Sequence, residues 1–173
     1  TVAKKVAGIY IVSGNVTVTG GTISIGEEST ALSMNMTPVG GTSYTYSGTG
    51  GTININGQKV TGYSLTGLDN MTTPSLFTDN LTVSVGSTPA NAGEKYTQYN
   101  LLNSKFIANK SMTFSKDGFT YINAKDSAVE LSSGTTVTST GLNSIGIYLD
   151  GDTLTSPITP FTGTYALKNS GTI

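Results

Sequence analysis

The sequence contains one short phrase twice: residues 20–26 read GGTISIG and residues 50–56 read GGTININ. In both copies a Thr and alternating apolar and polar residues follow two glycines, and this alternation is typical of a half-buried β-strand. A second phrase consists of a small residue, an apolar residue, a residue of any kind and another apolar residue. It begins at Gly8, Ala31, Gly62 and Gly146. Repetition of short strands constrains the fold strongly, because each unit must bury its apolar face against the next.

The order of the phrases predicts three strands in each repeat. After the phrase at Gly8, two further strands are expected at 16–18 and 22–26, and the first phrase then returns at Ala31. Three parallel strands per turn, stacked about 4.8 Å apart, form a parallel β-helix. We therefore predict an all-β protein, a right-handed parallel β-helix (solenoid) of about seven turns with irregular loop insertions, the hand following from the usual crossover preference. The two GGTI phrases are expected on adjacent turns, one directly above the other.

A β-sandwich is the alternative fold for a chain with this many short strands. Sandwiches depend on hairpins, and two-residue turns of the Asn-Gly kind mark them most clearly. Asn56-Gly57 is the one candidate for such a turn in this sequence. The rarity of hairpin signals favours the β-helix.

The composition excludes several classes of function. Charged residues make up 11 % of the chain and the net charge is −1, so the sequence offers no basic surface for nucleic acid. The nine basic residues are all Lys, and the chain has neither His nor Cys. Catalytic sites of the Ser-His-Asp or Cys-His kind therefore cannot form, and disulfides cannot either. No cofactor is predicted.

We predict a single domain over residues 1–173, with irregular insertions near 66–79, 87–110 and 153–164. The middle insertion interrupts the strand rhythm, and the spacing of Tyr99, Leu102 and Phe106 is also compatible with a short amphipathic helix. A fourth turn is expected to run from about Tyr99 to the strand at 119–122. Insertions of this kind often carry the function of a solenoid.

Candidate contacts for a ligand lie in the same middle insertion: Lys95, Tyr96, Tyr99, Lys105 and Phe106. Lysines interspersed with aromatic residues on a projecting loop would suit a protein or glycan partner. The alternative interpretation is packing, in which the aromatic side chains cover part of the core.

The acidic residues show no pattern of catalysis or metal binding. Asp69, Asp79, Asp117 and Asp150 each stand beside Gly or Asn, where a carboxylate usually accepts a hydrogen bond from its own turn. The segment 150–152, Asp-Gly-Asp, has the spacing of a calcium loop but lacks the further acidic ligands that such a site needs. We therefore predict no catalytic residue and no metal site.

Residues 143–149, NSIGIYL, and 167–173, LKNSGTI, resemble the passenger repeats of large bacterial autotransporters, those of fusobacterial outer-membrane adhesins in particular. The resemblance covers mainly 128–173 and 6–34. It implies a passenger exported through the outer membrane, displayed at the cell surface, and tethered by a barrel outside this segment. It also implies adhesion to a protein or glycan receptor on host cells or partner bacteria, and it transfers no catalytic residue.

The expected function is therefore that of a stalk or adhesin segment within a longer surface protein, and not that of an enzyme. Two alternatives remain open at this point. β-Helices also form polysaccharide-processing enzymes and carbohydrate-binding fragments, which would require acidic side chains clustered on one face. A third possibility is a spacer that has no ligand of its own.

Overall fold

The computed structural model describes residues 6–151 and 167–173, and nearly every regular element in these ranges is a β-strand. The one helical element there is a short 3-10 turn, Pro74–Leu76. The strands in chain order are β1 (Ala7–Ile11), β2 (Val16–Val18), β3 (Thr22–Ile25), β4 (Thr30–Asn35), β5 (Tyr46–Gly48), β6 (Thr52–Ile55), β7 (Thr61–Thr66), β8 (Phe77–Asp79), β9 (Thr82–Val85), β10 (Thr97–Leu102), β11 (Lys105–Ala108), β12 (Met112–Phe114), β13 (Thr120–Lys125), β14 (Ala128–Leu131), β15 (Val137–Ser139), β16 (Ile145–Asp150) and β17 (Leu167–Asn169).

The strands form a parallel β-helix, as the sequence predicted. The right-handed sense of its winding stays a prediction. Face 1 is a continuous parallel sheet in the order β1-β4-β7-β10-β13-β16. Face 2 holds the second strand of each coil, in the sheets β2-β5-β8 and β11-β14-β17, and face 3 holds the third, in β3-β6-β9 and β12-β15. The described residues thus belong to six coils, and successive coils advance by 23, 31, 36, 23 and 25 residues.

The two GGTI phrases are equivalent pieces of adjacent coils, which confirms the prediction. Strand β3 pairs in parallel with β6, Thr22 opposite Thr52 and Ile25 opposite Ile55. The second glycine of each phrase has a positive φ, +87° at Gly21 and +114° at Gly51, a conformation that side chains with a Cβ rarely adopt. The repeated phrase is therefore a corner followed by a strand, stacked upon its own copy.

The core is built from columns of side chains that point inward from face 1. One column runs through Leu32, Tyr63, Tyr99 and Ile122, which are paired in register and at most 1 % exposed. The neighbouring outward column is polar in the middle coils, where the side-chain amide of Asn123 donates to Oδ1 of Asn100 at 2.7 Å. Strand alternation thus separates a dry interior from a polar surface on this face.

The structure corrects the expected organisation of the middle of the chain. The segment 97–108 is not helical, because it forms β10 and β11 around a turn in which Asn103 has φ 49°. The strand that was expected at 119–122, at the end of the fourth turn, is β13. It lies on face 1 and is the first strand of the fifth coil. Inward stacking of Tyr99 and Phe106 overrides the helical spacing of the same residues.

The irregular segments also differ from the predicted bounds. The first expected insertion is a loop over 67–76 that leads into β8, and the second is confined to 86–96, since 97–102 and 105–108 are strands. A further long loop, at 36–45 in the second coil, was not predicted. The third expected insertion, 153–164, lies outside the described residues.

Candidate functional site

Three of the five predicted ligand contacts are core residues. Tyr96 is 0 % exposed, and Tyr99 and Phe106 are each 1 % exposed. The ring of Tyr96 stacks on that of Phe114 with centroids 5.1 Å apart, and the rings of Tyr99 and Phe106 lie 4.8 Å apart. These side chains offer no surface to a ligand in this fold, and their positions correspond to the packing interpretation.

The two predicted lysines lie in different places. Lys95 is exposed at a corner and has φ 55°, in a column of left-handed corner residues that includes Glu28 and Lys59. Lys105 is half-buried at the start of β11, and its Nζ lies 3.1 Å from Oδ2 of Asp69. Burial works to raise the pKa of Asp69, but hydrogen bonds from Thr72 and Lys105 outweigh it and the pKa is lowered. The predicted contacts therefore do not form one site.

A groove is present where the sheets of faces 2 and 3 are interrupted. Strands β8 and β9 end their sheets in the third coil, and β11 and β12 begin new sheets in the fourth. Among the described residues face 1 alone continues across this junction as a strand ladder, through the pairing of β7 with β10, and face 2 adds a single parallel bridge between Asp69 and Lys105. We call the groove between β9 and β12 the junction slot. It encloses about 660 Å³ and is lined by residues from 79–85 and from 109–116.

A buried carboxylate lies at one end of the slot. Asp79 ends β8 and points inward, with 2 % of its side chain exposed. Its Oδ1 accepts from the hydroxyl of Tyr63 at 2.6 Å and from the backbone N–H of Leu81 at 3.1 Å. A carboxylate buried in this way is stable only when such donors replace the water that it has lost.

The second oxygen of Asp79 completes the network with donors from the fourth coil. Oδ2 accepts from the hydroxyl of Tyr99 at 2.7 Å, from Nε2 of Gln98 at 3.2 Å and from Nζ of Lys110 at 3.0 Å. The side-chain carbonyl of Gln98 accepts in turn from the hydroxyl of Tyr96 at 2.6 Å. Five donors thus occupy the acceptor capacity of one carboxylate, which fixes the side chain of Asp79 in place.

The phenols around the carboxylate are held in their neutral form. Burial, and then the negative charge of Asp79, raises the pKa of both Tyr63 and Tyr99. Burial raises the pKa of Tyr46 to about 12. Each hydroxyl therefore keeps its proton over the physiological range and acts as a hydrogen-bond donor.

The long walls of the slot are the open edges of β9 and β12. Thr82 donates to the carbonyl of Gly51 at 2.9 Å, so its peptide groups face the second coil. Successive residues of a strand direct their peptide groups to opposite sides, so those of Val83 and Val85 face the slot. Across it, Met112 donates to the carbonyl of Thr136 at 2.9 Å, so the peptide groups of Thr113 face the slot from the other side.

The interior of the slot is apolar. Val83 and Val85 stack under Ile53 and Ile55, which are 0 % exposed, yet both valines remain partly exposed. On the opposite wall the inward-facing residues are Met112 and Phe114, 8 % and 5 % exposed. The interruption of face 3 therefore leaves the core incompletely covered at one rung.

Neither the slot nor the network was predicted from the sequence. Asp79 was interpreted as a turn residue that bonds its own backbone, and the bond from Leu81 N–H does exist, but four further donors reach the same carboxylate. One signal was available. Tyrosines fell at inward positions of the strand pattern, and a buried phenol needs a partner for its hydroxyl.

The comparisons add no family assignment: no family model matches the chain, and no curated protein or solved structure shows significant similarity to it. The resemblance to autotransporter passengers thus stays a prediction. Within residues 6–151 and 167–173, no three His, Cys, Asp or Glu side chains are grouped so that they could hold a metal ion. The same ranges contain no helix with the length and apolar character of a membrane span.

Proposed function

We propose that the chain is a stalk and adhesin segment of a surface-displayed autotransporter passenger, which helps to attach the parent protein to host cells or partner bacteria. The observation that supports this proposal most directly is the uninterrupted face 1. Six parallel strands, one from each coil, are bonded edge to edge along a single axis. Each coil extends such a rod by about 4.8 Å, so the architecture suits the projection of a contact surface.

The junction slot is the surface that we assign to the contact. It is a concave feature whose 660 Å³ fall within the usual range of ligand sites, and its walls combine apolar side chains with open backbone groups. The carboxylate that lines it, Asp79, is fully engaged by donors. Hydrolysis of a polysaccharide needs a pair of carboxylates, and Asp79 is the one acidic residue among the described residues that line the slot, so a binding role fits this lining better.

Attachment of beads tests the proposal. Beads coated with residues 1–173 are counted on epithelial cells and on partner bacteria, against beads that carry an unrelated β-helix. A matched variant, Val85→Arg, places a long charged side chain in the slot, and Thr17→Arg places one on an exposed strand position of the first coil. We expect attachment by the wild type and by Thr17→Arg, and reduced attachment by Val85→Arg. Counts equal to the unrelated β-helix would leave the segment as a stalk alone.

A further inference from the structure

We infer that the junction slot binds an extended peptide segment of a partner protein, which enters between β9 and β12 as an added β-strand with apolar residues at alternate positions. The inference rests on the contact role proposed for the slot and specifies its ligand. Because peptide binding is measured on the purified chain, its failure is distinguishable from a failure of attachment to cells.

The backbone of both walls is arranged for a strand. Val83 and Val85 direct N–H and C=O groups into the slot from one side, and Thr113 does so from the other. No described residue pairs with these strand edges, because β9 is the last strand of one sheet and β12 the first of another. An extended peptide is a ligand that can bond to both edges at once, and strand addition to an open edge is an established mode of peptide recognition.

The chain covers the comparable edge of β11 on face 2 itself, with backbone hydrogen bonds between 68–70 and Lys105 and with the side chain of Asn70. The amide of Asn70 accepts from the N–H of Ile107 at 2.8 Å and donates to the carbonyl of the same residue at 3.3 Å, as a neighbouring strand would do. Asn70 is 4 % exposed, so the side chain that replaces a strand at this edge is part of the core. Proteins usually protect open edges in some such way, and the face 3 edges lack the equivalent.

One end of the slot is closed by a similar device. The ammonium group of Lys110 donates to the carbonyl of Leu81, the first slot-facing carbonyl before β9, and also to Asp79. The next slot-facing groups, those of Val83 and Val85, have no such substitute in the described hydrogen bonds. The open stretch therefore starts beyond Leu81 and has the length of a short strand.

The side chains define the pattern of the ligand. Inward positions of the added strand would lie between Val83 and Val85 on one side and Met112 and Phe114 on the other, where apolar groups complete the core. Outward positions would lie level with the exposed Thr82, Ser84 and Thr113, where polar groups remain solvated. The expected ligand thus alternates apolar and polar residues, as the third strands of this chain do themselves.

A peptide copied from the chain is a suitable probe. The peptide GGTININGQ, the sequence of residues 50–58, carries the face 3 pattern, and GGIINTNGQ has the same composition without the alternation. Binding is measured on the full 173-residue chain by NMR, through the hydrogen exchange of individual amides. We expect the first peptide to protect the amides of Val83, Val85 and Thr113, and the second to bind at least tenfold more weakly.

Two changes to the backbone test the hydrogen bonds. Thr113→Pro removes a slot-facing N–H from an edge strand, a position at which proline is tolerated, whereas Thr113→Ala keeps that N–H. We expect the proline variant alone to lose at least tenfold in affinity. Because the proline variant could fail to fold, the same test is made from the ligand side, with a peptide N-methylated at alternate residues.

Three outcomes would overturn the inference. Equal binding of the N-methylated and unmodified peptides would show that backbone pairing is not involved. Protection confined to Thr22 and Ser24, whose peptide groups face away from β6, would place the peptide on the end of the helix, at β3, and not in the slot. Concentration-dependent dimerisation that protects Val83 and Val85 without peptide would make a second copy of this chain the occupant.

Discussion

The Nζ atom of Lys110 lies 3.0 Å from Oδ2 of Asp79, and this ion pair joins the fourth coil to the third where the sheets of faces 2 and 3 are interrupted. The two side chains are 15 % and 2 % exposed, so the pair is largely shielded from water. Its main effect is to balance the negative charge of Asp79, which would be costly to bury without a cation beside it.

Loss of the cation should therefore destabilise the protein. Lys110→Met keeps most of the aliphatic chain but leaves the buried carboxylate with four neutral donors. Removal of one partner from a buried pair typically costs about 3–5 kcal/mol, and the remaining donors place this variant near 3 kcal/mol. Chemical denaturation gives the change in the free energy of unfolding.

Lys59→Met is the matched control. Lys59 pairs with Glu28 at 3.4 Å, but its side chain is 48 % exposed, and exposed pairs contribute about 1 kcal/mol or less. Equal losses in the two variants would contradict the importance given to the junction pair.

The buried tyrosines should make the protein sensitive to alkali. The pKa of Tyr46 rises from 10.0 in the unfolded chain to about 12 in the fold, and burial also raises those of Tyr63, Tyr96, Tyr99 and Tyr121. The native state then binds more protons than the unfolded state above pH 10, so this contribution to stability is complete below pH 10 and declines as the pH rises. Tyrosinate absorbance at about 295 nm and circular dichroism should change together.

Tyr46→Phe removes one of these ionisable hydroxyls and so measures its contribution to the pH dependence. The hydroxyl of Tyr46 makes a single long contact, 3.5 Å from that of Tyr63, so its removal disturbs the network little. Between pH 10 and about 12, the free energy of unfolding of the variant should fall less steeply, by about 1.4 kcal/mol per pH unit for the proton removed. Identical slopes would show that this phenol ionises without unfolding.

Close stacking of the corners predicts a strong effect of one added methyl group. A Cβ on Gly57 would lie 2.3 Å from the backbone nitrogen of Glu27 in the coil above, so the two coils would have to separate. Gly57→Ala should cost about 2–3 kcal/mol, the upper part of the usual range of about 1–3 kcal/mol for overpacking.

Gly20→Ala is the control for this change, because a Cβ on Gly20 meets no atom within 4 Å. Its effect on the melting temperature should be small. Restriction of the unfolded chain by Ala acts in the stabilising direction, so a loss comparable with that of Gly57→Ala would contradict contact between coils as the cause of the effect at Gly57.

The open edge of β9 predicts alternating hydrogen exchange in the free protein. Thr82 and Gly86 donate to carbonyls of the second coil at 2.9 and 2.8 Å, whereas the amides of Val83 and Val85 face the slot. We expect slow exchange at the first pair and fast exchange at the second, measured residue by residue. Uniform protection along 82–86 would contradict an open slot.

The coil architecture was predictable from the sequence because apolar and polar residues alternate within the strands and the same short phrases recur in successive coils. Ile23 and Ile53, or Leu32 and Tyr63, occupy equivalent places in successive phrases, and each lies inward as its pattern indicates. The spacing of these phrases was enough to place the two GGTI copies on adjacent coils.

The corners and the junction were not predictable in the same way. Glu28, Lys59 and Lys95 adopt the left-handed conformation that is usually marked by glycine, since hydrogen bonds between neighbouring coils hold them there. The partners of Asp79 come from two coils, and sequence spacing gives no indication that Tyr63, Tyr99 and Lys110 converge. Such contacts depend on how loop lengths shift one coil against the next.

The continuity of face 1 across the junction has a consequence for how the molecule comes apart. The first three coils share three sheets with one another. The last three share two, and β12 and β15 join the fourth coil to the fifth in another. In the described residues, the pairing of β7 with β10 is the one strand ladder between the two groups, beside a single bridge between Asp69 and Lys105. In repeat proteins, stability is a sum over neighbouring interfaces. The junction that Lys110 and Asp79 hold together therefore has the least strand pairing between neighbouring coils of the first five, and we expect it to be the place at which one group of coils opens while the other remains folded.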